Sequence, residues 1–503
     1  MSQGTNGFFI LPGGLDQAAL ESALPSYTVD IQMGSAAPFL MLDCHDQSLR
    51  SSGRVLLESR GGLRLVSMQG QVAEQQAKGK GQFVQNLPDG PVKAAQSGFP
   101  SLRALTPIGT GEVEEGKLTI LDDLQKTQVR GHTLSLRTDR GQVAFVWLQK
   151  LRGYDRAFAA ACESLKGMTS GGIDDLFDVL FPDMMRYRAK PEIALGTQEP
   201  SLEVATDLIR TYLSVARQNE AGIVADIDTE FLHDYRVSLR RIRSVVSLFK
   251  GVFSDQQTAE LKRVFSDLMA PTGRLRDLDV YLLEKGMYLR LVPENLHAGV
   301  QAMFDRFEQE RARELSRLSR HLRSAAYETT MTDLAQNFAS PENLIPGPSA
   351  DRGAYSYACA LIWKRYRKTC KLARSISDET PDQTVHDLRI DCKKLRYLME
   401  FFGPLFNAKD FKTILKPLKK LQDNLGLFND YSVQQEALLA FVTDQSTAQG
   451  RVGAQLGLAA GGLIAVLDQR QKAERARVIS NFQHFDSPKI RHLFRSLFHH
   501  TKE

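Results

Sequence analysis

The 503-residue chain is 42% hydrophobic and 24% charged, a balance that excludes a wholly disordered, fibrous or collagen-like molecule and, at this length, implies two or three domains. Its net charge of +5 becomes informative only when divided. Residues 1–200 carry 20 basic against 22 acidic side chains, and residues 201–503 carry 44 against 37, so an argument about an anionic partner belongs to the second part.

Glycine marks the first region, with 23 of 37 glycines in the first 200 residues. Short apolar or alternating segments at Phe39 to Asp43, Arg54 to Leu57, Leu63 to Ser67, Leu118 to Leu121 and Gln142 to Trp147 lie between Gly, Asp and Ser, which predicts β-strands. Gly153 to Leu165 predicts a helix, and Pro191 to Pro200 a linker. From Ser201 onward apolar residues recur at spacings of three and four with few glycines, the signature of packed helices. SPENLIPGPSADRG, Ser340 to Gly353, breaks this region in two. The expected fold is therefore α+β and multidomain: a β-rich domain over residues 1–190, then an all-α domain over 201–503 with halves at about 201–340 and 353–503.

Val452 to Leu467 is the most apolar late stretch, but Gln455 and four glycines interrupt its sixteen residues, which predicts a closely packed small-residue helix and no membrane span. The opening MSQGTNGFFILPGG has no basic segment before a long apolar one, so no secretory signal is expected. Five scattered cysteines without a Cys-x-x-Cys pair suggest neither a disulfide framework nor a thiolate metal site and fit a reducing cytoplasm.

The helical halves repeat one another. His233-Asp-Tyr-Arg236-Val-Ser-Leu-Arg240-Arg241-Ile-Arg243 returns as His386-Asp-Leu-Arg389-Ile-Asp-Cys-Lys393-Lys394-Leu-Arg396, an offset of 153 that also carries Phe249 to Phe402, Phe253 to Phe406, Leu268 to Leu421, Gly273 to Gly426 and Asp277 to Asp430 without a gap. A duplicated helical unit with pseudo-twofold symmetry follows. At about 100° per residue from His233, the residues Arg236, Arg240 and Arg243 fall near 300°, 340° and 280°, one charged column. Tyr235, Leu239, Ile242, Val246 and Phe249 form a separate apolar stripe. The second copy repeats both, with His386, Arg389, Lys393 and Arg396 in the column and Leu388, Cys392, Leu395, Met399 and Phe402 in the stripe.

Charged helix faces are ordinarily solvated or paired, here with Asp277, Asp279 or Asp430, and a lone histidine ordinarily caps or packs. Like charges at i, i+3 and i+4 cost a helix about 0.2–0.5 kcal/mol per pair, so a column kept twice suggests an anion that offsets the repulsion. Two such columns packed face to face would make one continuous basic surface for a long anion. Lys364, Arg365, Arg367, Lys368, Lys371 and Arg374 crowd a helix upstream of the second motif, and Arg210 with Arg217 is a thinner counterpart upstream of the first. Asp277 and Asp430 are expected to orient the arginines. The helical part shows no nucleophile set, Walker-type loop, His-Glu-x-x-His or dinucleotide glycines, so no catalytic, metal or cofactor residues are assigned.

The doubled His-x-x-Arg-x-x-x-[Arg/Lys]-[Arg/Lys]-x-Arg helix, each copy followed by a Leu-Gly-x-x-x-Asp-like segment, resembles the CHAD (conserved histidine α-helical domain) family from about Ser201 to the C-terminus. Pro271-Thr272 before Gly273 departs from the pattern in the first copy. The resemblance implies two four-helix units that bind inorganic polyphosphate at a central basic surface or pore and associate with cytoplasmic polyphosphate granules, where other granule proteins would be partners. It places His233, Arg236, Arg240, Arg241, Arg243, His386, Arg389, Lys393, Lys394 and Arg396 on that surface, to which the helix charges add Arg210, Lys364, Arg365, Arg367, Lys368 and Lys371. The first 165 residues resemble a degenerate CYTH, or triphosphate tunnel, domain: Leu42-Asp43-Cys44, Leu49 and Ser52-Gly53 match its Asp-Thr turn and following strand. Tyr27-Thr-Val-Asp30-Ile-Gln32 stands at its Glu-x-Glu-x-Lys position, Leu57 and Ser59 at its arginines and Met68 at its lysine, so loss of the tunnel chemistry is expected. The leading expectation is a non-enzymatic polyphosphate-binding protein. The alternatives are a triphosphatase or nucleotidyl cyclase acting through the N-terminal domain, and an RNA-binding module, the latter disfavoured because Tyr235, Tyr366 and Tyr397 are the main aromatics among the basic helices.

Overall fold

The computed structural model describes residues 7–169, 172–377, 379–444 and 451–499. They belong to two compact units, Met1–Arg188 and Ala189–Glu503.

The first unit is built on nine strands: β1 (Phe8–Pro12), β2 (Thr28–Met33), β3 (Ala37–Cys44), β4 (Arg54–Ser59), β5 (Gly62–Ser67), β6 (Val72–Gln75), β7 (Leu105–Leu121), β8 (Thr127–Arg137) and β9 (Gln142–Lys150). Its helices are α1 (Gln17–Ala23), α2 (Ser48–Ser51), α3 (Pro91–Ala95), α4 (Asp155–Met168) and α5 (Ile173–Leu180). The strands pair antiparallel in the order β1-β9-β8-β7-β3-β4-β5-β6, and β2 continues the β3 edge of the long strand β7. This is an antiparallel half-barrel of tunnel-like form. The strands expected from sequence lie within β3, β4, β5, β7 and β9, and the expected helix is α4. β1, β2, β6 and β8 go unread because they are short or, like TQVRGHTLSLR in β8, interrupt their apolar alternation with Gly and charged residues.

Two apolar layers hold the sheet. On one face Phe39, Met41, Leu57, Val66, Val113, Leu134, Leu136 and Phe145 bury against Leu176, Phe177 and Leu180 of α5, while the other face packs Val29, Leu118, Ile120 and Val146 against Leu20, Ala161 and Leu165. Leu57, at a position where the tunnel family carries arginine, thus belongs to a hydrocarbon layer covered by a helix. The sheet curls enough for the β5–β6 turn to reach β9, where the Trp147 indole N–H donates to the Gly70 carbonyl at 2.7 Å. Gly70 has φ of +78°, and a Cβ there would lie 2.7 Å from Phe8, so the closure requires glycine. Asp43 is structural: its carboxylate accepts backbone N–H groups of Cys44, Leu49 and Arg50 at 2.7–2.9 Å, fixing the turn into α2, although burial pushes its carboxyl up to about 7.

The second unit is helical: α6 (Ser201–Val224), α7 (Thr229–Leu248), α8 (Asp255–Met269), α9 (Gly273–Arg290), α10 (His297–Leu322), α11 (Ala325–Asn337), α12 (Ala354–Arg374), α13 (Asp382–Phe402), α14 (Ala408–Asp444), α15 (Arg451–Phe485) and α16 (Pro488–Phe498). The 153-residue offset maps the first residues of α6, α7 and α8 onto those of α12, α13 and α14. The departure at Pro271 is local. A 3₁₀ turn, Ala270–Thr272, separates α8 from α9 where the second copy runs on as the single helix α14.

Equivalent residues meet one another, which locates the pseudo-twofold axis. Phe249 stacks on Phe402 with ring centres 4.8 Å apart. Pro200 bridges Gly353, and the flanking bonds exchange under the symmetry: Ser201 N–H to Arg352 O at 2.9 Å, Ala354 N–H to Glu199 O at 2.8 Å. Both predicted apolar stripes are buried in one core that runs through the two repeats. A second core joins α9 and α10 to α14 and α15 through Tyr288, Val300, Phe304, Phe307, Leu438 and Leu463.

The small-residue stretch lies in α15, and no helix among the described residues is long and apolar enough to cross a membrane. Its close packing is visible at α10, where a Cβ on Gly299 would lie 2.3 Å from the Gln455 carbonyl and 2.8 Å from Ala459 Cβ. Gly299→Val is therefore expected to cost about 1–3 kcal/mol, read as a lowered Tm of the full chain. Gly457→Ala, on α15 with open space around the added methyl, is expected to leave Tm unchanged or raise it. Equal losses in the two variants would contradict the packing.

Candidate functional site

The two motif helices begin in register but are started differently. Asp228 caps α7 by accepting the N–H groups of Glu230 (2.9 Å) and Phe231 (3.3 Å), whereas Pro381 precedes α13 without a side-chain cap. The stacked phenylalanines lie just beyond the last turn of α7 and at the end of α13, so the columns that precede them on each helix are brought together.

At their meeting point the columns form a sequence of charges that reads the same from either repeat. Asp277 on α9 faces Arg236, Arg236 neighbours Arg240, Arg240 faces Lys393 across the axis, Lys393 neighbours Arg389, and Arg389 pairs with Asp430 on α14 at 3.8 Å. Each member is 153 residues from its counterpart. Four cations thus lie between two carboxylates, of which Asp430 makes an ion pair with Arg389 and Asp277 acts on Arg236 through its charge.

These cations are partly withdrawn from water. Burial, then Arg240, holds Arg236 below the ordinary arginine value; its guanidinium donates to Thr272 Oγ1, and its buried Nε has no partner among the described residues. Lys393 is the most perturbed cation here: burial first, then Arg240, Arg389 and Arg396, lower its ammonium to about 8 against the opposing pull of Asp430. Burial likewise raises the Asp277 carboxyl despite three nearby arginines. His386 Nδ1 donates to Asn429 Oδ1 at 2.6 Å, and Arg396 donates to Glu400 at 2.6 Å and Gln422 at 3.1 Å. Arg243 is exposed and contacts Met269 Sδ at 3.4 Å; His233 is half-buried on the first turns of α7.

Half of the sixteen residues expected to share one basic surface do not join the columns. Arg241 lies on a different side of α7 and is a strut between repeats, donating to Glu400 at 2.7 Å and Tyr212 OH at 3.0 Å, with its side chain only 11% exposed. Arg365 and Lys368 converge on the buried Asp391 at 2.8 and 3.1 Å, with Lys394 beside them, so these three belong to the α12–α13 contact. Lys364, Arg367 and Lys371 line a separate groove between α12 and α16. Arg210 is exposed and pairs with Asp207 on its own helix at 2.6 Å. Local crowding of charge in sequence did not reveal which side of α12 each side chain occupies relative to α13.

Thr272, Gln422, Asn429 and Glu400 were not anticipated. For Asn429 a signal existed, since it immediately precedes Asp430 as Arg276 precedes Asp277. Glu400 had none, because its counterpart in the first repeat is Ser247.

Comparison with known proteins supplies the family. Among solved structures, the chain is similar to the CHAD domain from the plant Ricinus communis, at 24% identity over 58% of this chain and 96% of that one, with a TM-score of 0.48. It is also similar to PptA from Streptomyces chartreusis, at 14% identity over 57% and 100% of the two chains, with a TM-score of 0.44. A candidate adenylate cyclase from Vibrio parahaemolyticus aligns at 11% identity over 34% and 95%, with a TM-score of 0.19. No curated protein matches. Residues 207–439 match the family model of the CHAD domain, spanning α7 and α13 with both charged columns, and this part of the helical unit is a CHAD domain.

Proposed function

We propose that this protein binds inorganic polyphosphate without transforming it, through the columns on α7 and α13, and that this binding places it on polyphosphate granules in the cytoplasm. The observation that carries the reading is the convergence of α7 and α13 at the stacked Phe249 and Phe402, which brings Arg240 near enough to Lys393 across the pseudo-twofold axis for its charge to lower the lysine ammonium. Like charges from two repeats, partly shielded from water and set between Asp277 and Asp430, are an arrangement that a flexible polyanion stabilises. Successive phosphates can cross the axis and meet equivalent cations on either side. The apolar layer between the half-barrel and α5 supports a non-catalytic reading of the first unit, because a triphosphate site needs cations for phosphate where Leu57 and Met68 stand among hydrocarbon side chains.

Binding of fluorescently labelled polyphosphate is expected to weaken roughly tenfold or more between 50 and 200 mM salt, as counterion release requires. Arg240→Glu and Lys393→Glu should each abolish it while the far-ultraviolet circular dichroism of the helices is kept. Salt-independent binding, or affinity retained in both variants, would overturn the assignment.

Lys393 gives the site a pH dependence with a definite sign. Its folded-state value of about 8 lies below its ordinary 10.5, so affinity for the polyanion should fall as the ammonium is lost between pH 7 and 9, and Lys393→Arg should flatten that fall. Without ligand the sign for folding is opposite. Holding the charge in the folded state is a cost below pH 8 that disappears as pH rises toward 10.5. Lys393→Met is accordingly expected to raise the ligand-free Tm at pH 7, by on the order of 2 kcal/mol of stability, while weakening polyphosphate binding. A lowered Tm would show that the cation stabilises the empty protein.

A further inference from the structure

Lys364, Arg367 and Lys371 of α12, which do not join the columns, open instead onto a groove of about 1430 Å³ between α12 and α16. Eight of its nineteen lining residues are Lys or Arg and none is Asp or Glu. Arg374 is engaged by Asp486 at 2.9 Å, and Lys368 by Asp391 at 3.1 Å. Lys364, Arg367, Lys371 and Arg495 make no ion pair among the described residues, and the first three descend one side of α12 over seven residues, ~10 Å of helix.

This charge is not part of the duplicated design. The columns keep a cation at 236/389, 240/393 and 243/396, whereas the counterparts of Lys364, Arg367, Lys368, Lys371 and Arg374 in α6 are Thr211, Ser214, Val215, Gln218 and Ala221. A ligand recognised equally by both repeats gives no reason for this second set. The lining also differs in kind. Trp363 lies half-buried in the groove with the His499 ring edge-on at 5.0 Å, and Tyr355 and His492 add further ring surface with partial or full exposure. Bare polyphosphate has phosphates for the cations but nothing to place against an indole. A polynucleotide strand has both, in the ratio that a cationic groove set with aromatic faces accepts.

We propose that the α12–α16 groove is a binding site for a single-stranded polynucleotide, separate from the polyphosphate columns: Lys364, Arg367, Lys371 and Arg495 neutralise its phosphates, and Trp363 stacks on a base. The contact is sequence-tolerant, because every base offers a π face and the cations meet phosphates that every nucleotide carries.

The chain has two tryptophans, and Trp147 is buried in the first unit, so Trp147→Phe leaves Trp363 as the sole reporter. Titration of that variant with 12-mers of uridylate and of deoxythymidylate should quench its emission, and polyphosphate should not. Equal quenching assigns any single strand, and quenching by uridylate alone assigns RNA. Fluorescence anisotropy of the labelled 12-mers with the unsubstituted chain gives a second readout that needs no tryptophan change. There Lys364→Glu with Arg367→Glu should weaken oligonucleotide binding tenfold or more and leave polyphosphate affinity unchanged, while Arg240→Glu should do the reverse. Trp363→Leu should cost roughly five- to a hundredfold in oligonucleotide affinity. Absence of an anisotropy change up to about 100 μM of the unsubstituted protein, or charge reversal in the groove that lowers both affinities alike, would overturn the proposal, and the second outcome would leave polyphosphate binding itself intact as a separate result.

Discussion

The stacking of Phe249 on Phe402 is the contact from which the arrangement of the helical unit follows. A residue that meets its own repeat copy must satisfy a self-complementary surface, and an offset-stacked aromatic pair does so while burying a large apolar area on both sides. Once these rings are joined, α7 and α13 have no freedom to hold their charged columns apart. The Arg241–Glu400 strut acts in the same place, and because Glu400 also accepts from Arg396 it couples the first repeat's frame to the second repeat's column. Cation crowding at the axis is thus a consequence of hydrophobic packing, which is strong enough to impose it.

Where the repeats differ, the difference is informative. Pro271 interrupts the first copy, and Thr272 in the resulting turn receives the Arg236 guanidinium, while the uninterrupted α14 presents Asn429 to His386. These contacts hold different members of the columns, Arg236 in the first copy and His386 in the second, so the anchoring groups have diverged while the spacing of the charged positions has not. The α12 stripe shows the opposite behaviour, with charge present in one repeat alone, and its outlet is a helix, α16, that packs on the second repeat.

Much of the helical unit was legible because two regularities coincide: a 3.6-residue apolar period and an offset of 153 without a gap. Either alone is weak, but together they place Tyr235, Ile242, Leu395 and Phe402 in the core and their charged neighbours outside it. The eight residues of the columns were legible for the same reason. Arg241, Lys394 and Arg365 were misplaced because the sequence shows charge but not the partner across a helix contact; Glu400 and Asp391 are distant or unpatterned in the chain. The groove was invisible in the sequence, since Lys364 and Arg495 are far apart and α16 lies outside the 153-residue register. In the half-barrel the segments with an unbroken apolar or alternating run announced themselves and the longer but interrupted β8 did not, while α5, an apolar segment that reads equally well as a strand, revealed its role only through Leu176, Phe177 and Leu180 on the sheet.

Lys393 links these observations energetically. A lysine that holds its proton only up to about 8 is one whose surroundings oppose its charge, and a polyanion laid over the columns would raise that value again. Proton uptake and anion binding are then a single linked equilibrium, and the affinity includes release of repulsion already built into the empty site. An isolated cation on a solvated helix face could not contribute in this way, because water would have screened the repulsion before the ligand arrived. On the proposed function, partial burial of the columns is therefore what would make an otherwise unfavourable cluster selective: a single phosphate would relieve one neighbour, but only an anion long enough to cross the axis would relieve Arg236, Arg240, Lys393 and Arg389 together.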